Sequence, residues 1–253
     1  LCVFSQTIIS KTQFCVNVFI KIYVSIYIKR LQKTFFWCIV KATKRLRGKS
    51  QMKFVAIVGT NSGRSTNRKL LQFMAKHFAD QADIEVIEIK DLPAFNEPAD
   101  KQAPAAVAQF SEKILAADGV IIATPEYDHT IPAPLASALE WIAYTSRALI
   151  NKPTMIVGAS LGALGTSRAQ SHLRQILNAP ELKARVMPGI EFFLGHSEQA
   201  LTADSKLLVP EKVAELEENF AEFLEFAKIT HVLVNQANTD RKRNFAWEVS
   251  EEE

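Results

Sequence analysis

The chain has 253 residues, 48% of them apolar, and a formal net charge of +3, enough to bury a substantial core in one large domain or two small ones. That charge is lopsided: residues 1–51 hold ten Lys or Arg and no Asp or Glu, whereas residues 52–253 hold twenty basic and twenty-seven acidic side chains, a net of −7. The acidic body argues against a nucleic-acid-binding surface, and with Cys2, Cys15 and Cys38 all in the leading stretch it has no cysteine for a disulfide scaffold or thiol chemistry, which fits a reducing cytoplasm.

Taken in chain order, residues 1–51 read as an upstream extension of the reading frame, rich in Phe, Ile, Lys, Tyr and Asn. Their most apolar piece, residues 14–28, is interrupted by Lys21 and is short for a membrane span. No small-residue cleavage site of the secretory type follows. A real membrane anchor is the alternative, and only then would a membrane be a partner. A disordered leader is opposed by so many bulky apolar residues.

From residue 53 strand and helix patterns alternate with short connections, the mark of a parallel α/β sheet. An apolar strand at 53–59 gives way to a loop of small residues and hydroxyls, then to a helix at 66–79. A second strand at 84–89 alternates as an edge strand does. A loop with two prolines follows, then a helix at 104–117. The run 119–124 is apolar without interruption, so it is expected to be buried on both faces. Further elements are a helix at 132–146, a strand at 153–158, a helix at 166–178 and a short strand near 185–187, which makes five. An amphipathic helix beginning at Pro210 closes the domain at 228. A polar tail at 229–253 follows, in which Phe245 and Trp247 have room to dock. Right-handed crossovers turn this series into a doubly wound sandwich with helices on both faces. Ligands in such sheets bind beyond the carboxyl ends of the strands, so the loops after strands one, three and four carry the candidate site.

In the first loop Ser62, Ser65, Thr66 and Asn67 offer side-chain donors, the helix start adds backbone N–H groups, and Arg64 adds a full charge, together a phosphate cradle. The plain alternative is helix capping by Ser65 or Thr66. The second loop, Thr124 to Pro134, contains three prolines and Tyr127; a stiff backbone with an aromatic ring suits one side of a flat ligand. Its plain alternative is a connection leading into the next helix, with His129 a polar loop residue. The third loop holds Gly158, Gly162 and Gly165, which permit close backbone approach to a ligand. Gly158-Ala-Ser160-Leu-Gly162 also matches a nucleophile elbow. A serine hydrolase built on Ser160 would need Asp204 and His231 to complete it.

Together the three loops resemble those of the NADPH-dependent FMN reductase family. The first, Gly59-Thr-Asn-Ser-Gly-Arg-Ser65-Thr-Asn67, is similar to G-S-x-R-x-G-S-x-N. The second, Thr124-Pro-Glu-Tyr-Asp128-His-Thr-Ile-Pro132, is similar to T-P-E-Y-N-x-x-I-P. The third, residues 158–170, fits G-A-S-x-G-x-x-G-T-x-R-A-Q throughout. The resemblance covers residues 53–195. It implies a flavodoxin-like doubly wound sheet in the order 2-1-3-4-5, holding FMN and using NADPH. Ser62, Arg64, Ser65, Thr66 and Asn67 would hold the FMN phosphate. Pro125, Glu126, Tyr127 and Asp128 would border the ring system, with Ser160, Leu161, Gly162 and Gly165 on its other edge. Hydride would pass from nicotinamide to flavin N5 and electrons on to a flavin, quinone, azo or similar small acceptor. No catalytic side chain and no metal is implied, and Arg147 and Arg168 are candidates for the NADPH phosphate. A flavodoxin-type electron carrier is the other reading. Two departures stand out: Ser62 where the family has Arg, with Arg64 two residues on, and Asp128 where it has Asn. The resemblance further implies a homodimer or homotetramer, for which the apolar set Leu135, Leu139, Trp141, Ile142 and Tyr144 offers a helix face.

Overall fold

The structure is a computed structural model and describes residues 51–189 and 191–237. The extension expected at the N-terminus lies outside the described residues except for Gln51, as do Phe245 and Trp247. The elements in chain order are β1 (Met52–Val58), α1 (Thr66–His77), β2 (Ala82–Glu88), α2 (Ala105–Ala116), β3 (Gly119–Ala123), α3 (Ala133–Trp141), β4 (Pro153–Ala159), α4 (Ser167–Leu177), β5 (Arg185–Val186), β6 (Phe192–Leu194), α5 (Ser197–Ala200) and α6 (Pro210–Ala237).

All strand pairs are parallel, in the order β2-β1-β3-β4-β5, the order that the resemblance implied. β3 and β4 are buried along their whole length, whereas β2 alternates at the edge. Strand β1 shows the period of two that divides the core. Phe54, Ala56 and Val58 pack with Leu70, Met74, Phe78, Phe220 and Phe223 under α1 and α6. Val55 and Ile57 pack with Phe110, Ile114, Leu135, Leu139 and Leu173 under α2, α3 and α4. A sheet covered on both faces leaves its carboxyl edge, where the loops leave β1, β3 and β4, as the place for a ligand.

Four local features differ from the sequence reading. The fifth position is split: β5 pairs with Pro153 and Thr154 of β4, and β6 pairs with Val157, Gly158 and Ala159 further along. The end of the third helix widens into a π-turn at Ile142–Ser146, where the Thr145 hydroxyl donates to Trp141 O at 2.7 Å and Arg147 closes the turn at φ 52. Helix α6 continues to Ala237 instead of ending near 228. Thr230 is buried there, and His231 Nε2 lies 2.8 Å from Asp118 O; these contacts secure a stretch that hydropathy alone reads as tail. Finally, Leu135, Leu139, Trp141 and Ile142 are fully buried in the chain's own core, and Tyr144 packs edge-on to Phe95. That apolar set therefore supplies no free helix face for an intersubunit pair. Among the described residues no helix is long and apolar enough to cross a membrane.

Phe220 stacks on Phe78 with ring centroids 4.0 Å apart and also meets Phe54. Phe220→Ala should lower unfolding stability by about 3–5 kcal/mol, measured by urea denaturation. A loss below about 1 kcal/mol would mean that α6 does not close this face.

Candidate functional site

The loop after β1 is organised by its own hydroxyls. Ser62 N–H donates to Thr60 Oγ1 at 3.2 Å, Arg64 N–H to Ser62 Oγ at 3.3 Å, and Arg68 N–H to Ser65 Oγ at 3.1 Å. Ser65 is thus the N-cap of α1, as the plain reading of the sequence held. The cap does not use up the helix start, because the first-turn N–H groups have no intrahelical acceptor. Arg64, Ser65, Thr66 and Asn67 line a cavity of about 680 Å3. Ser62 is not on its wall, since its hydroxyl is turned into the loop. Arg64 is exposed and is the one cation among the lining residues.

Asn67 is almost fully buried, and its amide is engaged on both sides. Nδ2 donates to Ala159 O at 2.8 Å and Oδ1 accepts from Ala159 N–H at 2.8 Å. The side chain therefore ties α1 to the end of β4, and one N–H of Nδ2 and the backbone N–H are what Asn67 has left to offer a ligand. Thr66 Oγ1 accepts from Ser197 Oγ at 2.9 Å, which sets α5 beside the first loop and puts Glu198 on the cavity wall.

In the second loop Tyr127 and Thr130 exchange backbone hydrogen bonds at 3.0 and 2.9 Å around Asp128 and His129. Those two residues have φ 50 and φ 64. A two-residue turn with positive φ at both central positions is type I′, which favours Asn or Asp. The change from Asn to Asp at 128 is thus conformationally equivalent, and Asp128 sits in the turn away from the cavity wall. Pro125, Glu126 and Tyr127 do line the cavity, with Tyr127 half exposed.

Glu126 reaches the start of α4. It accepts the N–H of Arg168 at 3.0 Å and of Ala169 at 3.3 Å, with Arg168 Nη1 at 3.3 Å. Burial pushes its carboxyl up, but the Ala169 N–H, the Arg168 guanidinium, the Arg168 N–H and His129 outweigh that push. The net effect holds it below the usual carboxylate range. Arg168 is thereby committed to Glu126, and neither it nor Arg147 lies on the cavity wall.

The third loop forms the remaining wall, with Ser160, Leu161, Gly162 and Gly165 joined by Ala163 and Leu164. Leu161 and Leu164 are about two-thirds exposed at the rim. A Cβ on Gly158 would fall 1.7 Å from Thr166 Oγ1, so close packing requires glycine there. Around Gly162, a lining residue, nothing lies within 4 Å of such an atom, so the protein's own packing does not require glycine there. The serine-hydrolase constellation does not assemble. Ser160 Oγ donates to Gly162 O at 3.1 Å, while His231 pairs with Asp118 at the opposite, amino end of β3 and the Asp204 carboxylate accepts from Thr202.

Thr60, Ala159, Ala163, Leu164 and Glu198 are wall residues that the sequence reading did not name. Ala163 and Leu164 lie inside a motif that was recognised, so their position was available in principle. Glu198 carries no local signal, because the return from β6 delivers it.

The sequence profile described as NADPH-dependent FMN reductase matches residues 52–199. The NADH:(hydroxy)cinnamate reductase subunit CrdA of Vibrio ruber is 57% identical over 201 residues, covering 79% of this chain and 100% of its own length. The NADH-dependent flavin reductase subunit 2 of Lactobacillus johnsonii is 45% identical over 182 residues, covering 70% and 98%. Among solved structures, the flavoenzyme NAD(P)H:(acceptor) oxidoreductase FerB from Paracoccus denitrificans superposes with a TM-score of 0.64 at 23% identity, over 71% of this chain and 98% of that one. That last likeness is one of fold.

A carboxylate whose folded pKa is depressed stabilises the fold above its unfolded value, and the contribution is lost as pH falls through the lower folded value. Glu126→Gln should therefore be less stable than the parent by about 1 kcal/mol at neutral pH. The gap should close as pH drops below about 4, read as melting temperature against pH. A gap that is constant down to the acid limit would exclude the charged contact with α4.

Proposed function

Since the chain belongs to the NADPH-dependent FMN reductase family, we propose that its three loops hold FMN and that it passes reducing equivalents from NADH to a small planar acceptor such as a flavin, quinone or azo compound. The observation that carries this reading is the composition of one cavity wall. It joins the amino end of α1 and Arg64 to an apolar rim of Tyr127, Leu161 and Leu164. A phosphate fits the first group, a flat ring system fits the second, and a cavity of about 680 Å3 lies in the range of small-molecule sites.

On this reading the Thr66 and Asn67 N–H groups and the Arg64 guanidinium bind the phosphate. Tyr127 and Leu161 exclude water from the ring faces, and the empty space at Gly162 lets backbone approach the ring edge. Loop amides between Ser160 and Gly165 stabilise negative charge as the ring is reduced. The bound flavin itself supplies hydride acceptance at N5. These residues orient and shield, so the site needs no dedicated acid or base.

Arg64 is the one cation on the wall, and the FMN phosphate engages it; Glu198 adds a carboxylate and Arg168 is held by Glu126. Among the described residues the wall offers a 2′-phosphate no second cation, which favours NADH over NADPH. The NADH in the names of both relatives supports that preference, and the word subunit in those names supports a working form of more than one chain, a homodimer or homotetramer being the simplest.

FMN-loaded protein should oxidise NADH with a quinone or free flavin as acceptor, with kcat/KM for NADH exceeding that for NADPH by about tenfold or more. A flavin-bearing protein with no turnover would instead be a flavodoxin-type carrier. Gly162→Val should weaken FMN binding by about tenfold or more with an unchanged melting temperature, and unaltered affinity would exclude close approach at that position.

A further inference from the structure

Behind the first loop lies a pair of side chains that touches no cavity atom and yet decides how the loop presents itself. Arg68 donates from Nε and Nη2 to the two carboxylate oxygens of Glu88, the Nη2 contact being 2.8 Å. Its remaining terminal nitrogen, Nη1, donates to Ser62 O at 2.9 Å and to Gly63 O at 3.3 Å. Both side chains are largely covered, at 18% and 26% exposure. Glu88 is fixed in turn, because it is the last residue of β2 and pairs in register with Val58, from which the loop departs. One planar guanidinium thus connects the end of the edge strand to two consecutive loop carbonyls.

We propose that the Arg68–Glu88 pair is a positioning device for phosphate: by holding the Ser62 and Gly63 carbonyls, it fixes the turn that presents Arg64 and the first N–H groups of α1 to the ligand. This rests on the FMN reading above. In a trans peptide the carbonyl and the following N–H point in opposite directions. Fixing the two carbonyls on Arg68 therefore turns the Gly63 and Arg64 N–H groups away from it. The Arg64 N–H then meets Ser62 Oγ, which closes the turn that delivers Ser65 and Thr66 to the cavity wall. Without the guanidinium, either peptide can flip, which breaks the Arg64 N–H contact with Ser62 Oγ and lets Arg64 and the helix start drift from the cavity wall. Lysine cannot replace the arrangement, since an ammonium lacks the planar fork that meets a carboxylate and two carbonyls at once.

A simple charge effect makes the opposite prediction for one variant. Glu88→Gln removes the neutralising carboxylate and leaves Arg68 more exposed electrostatically, so long-range attraction alone would tighten phosphate binding. The positioning account has it weaken. The test is a fluorescence-quenching titration of Arg68→Lys and Glu88→Gln with FMN and, separately, with riboflavin, which has the same ring system and no phosphate. The expected result is a loss of FMN affinity of about tenfold or more in both variants, with riboflavin affinity unchanged, so that discrimination between the two flavins falls. Unchanged FMN binding in Arg68→Lys, or tighter FMN binding in Glu88→Gln, overturns the proposal. So does an equal loss for both flavins, which would mark a general structural role. Wild-type protein that binds neither flavin overturns the FMN reading and this proposal with it, whereas wild-type binding with unaltered variants overturns the positioning role alone.

Discussion

The site depends on one buried amide. Asn67 and the backbone of Ala159 exchange two hydrogen bonds across 92 residues of chain. They join the first turn of α1 to the point where the third loop leaves β4. A buried hydrogen bond contributes about 1 kcal/mol net, but leaving either partner unsatisfied costs roughly 1–3 kcal/mol. The pairing is therefore favoured strongly over any arrangement in which helix and strand separate. Two of the three loops are held in fixed relation by it before any ligand arrives. The third relation is supplied by Glu126, which runs from the second loop to the start of α4. Each loop is thus fastened to an element other than its own, and the cavity between them is largely preformed.

That fastening explains a division of labour among residues of the same chemical type. Ser62 and Ser65 are both loop hydroxyls, yet one accepts an N–H within its turn and the other caps a helix. Arg64 and Arg68 are four residues apart; one is open on the cavity wall and the other is locked behind it by Glu88. Gly158 and Gly162 bracket the start of the third loop, but only the first is demanded by internal packing. In each pair one member makes the loop's shape and the other faces what the shape is for.

The framework was readable because it rests on local chemistry. Continuous apolar runs marked β3 and β4 as central and the alternation of β2 marked it as an edge. Where the reading fell short, distant contacts decided. Asn67 reads as a ligand donor alone until Ala159 is placed opposite it and shows the amide to be a structural tie as well. Asp128 reads only as a charge next to Tyr127 until the positive φ of the Asp128–His129 turn shows its part in the loop's shape. Glu198 reaches the wall only through the split edge of the sheet. The last turns of α6 resemble a tail until Thr230 is buried and His231 meets Asp118. The apolar face of α3 suggested a second chain because sequence cannot say whether a hydrophobic stripe is covered by its own sheet. Motifs located the loops, but the hydrogen-bond partners that orient each side chain are set by the tertiary fold.

The central claim is that a phosphorylated ring is anchored through its phosphate at the amino end of α1. Phosphorus NMR of FMN bound to the protein reads that contact directly. A helix terminus and a guanidinium favour the doubly ionised phosphate, whose second proton otherwise comes on near pH 6. The account predicts a single bound resonance, displaced from that of free FMN and unmoved as pH is lowered through about 6. A resonance that coincides with free FMN, or one that titrates as the free phosphate does, would contradict it.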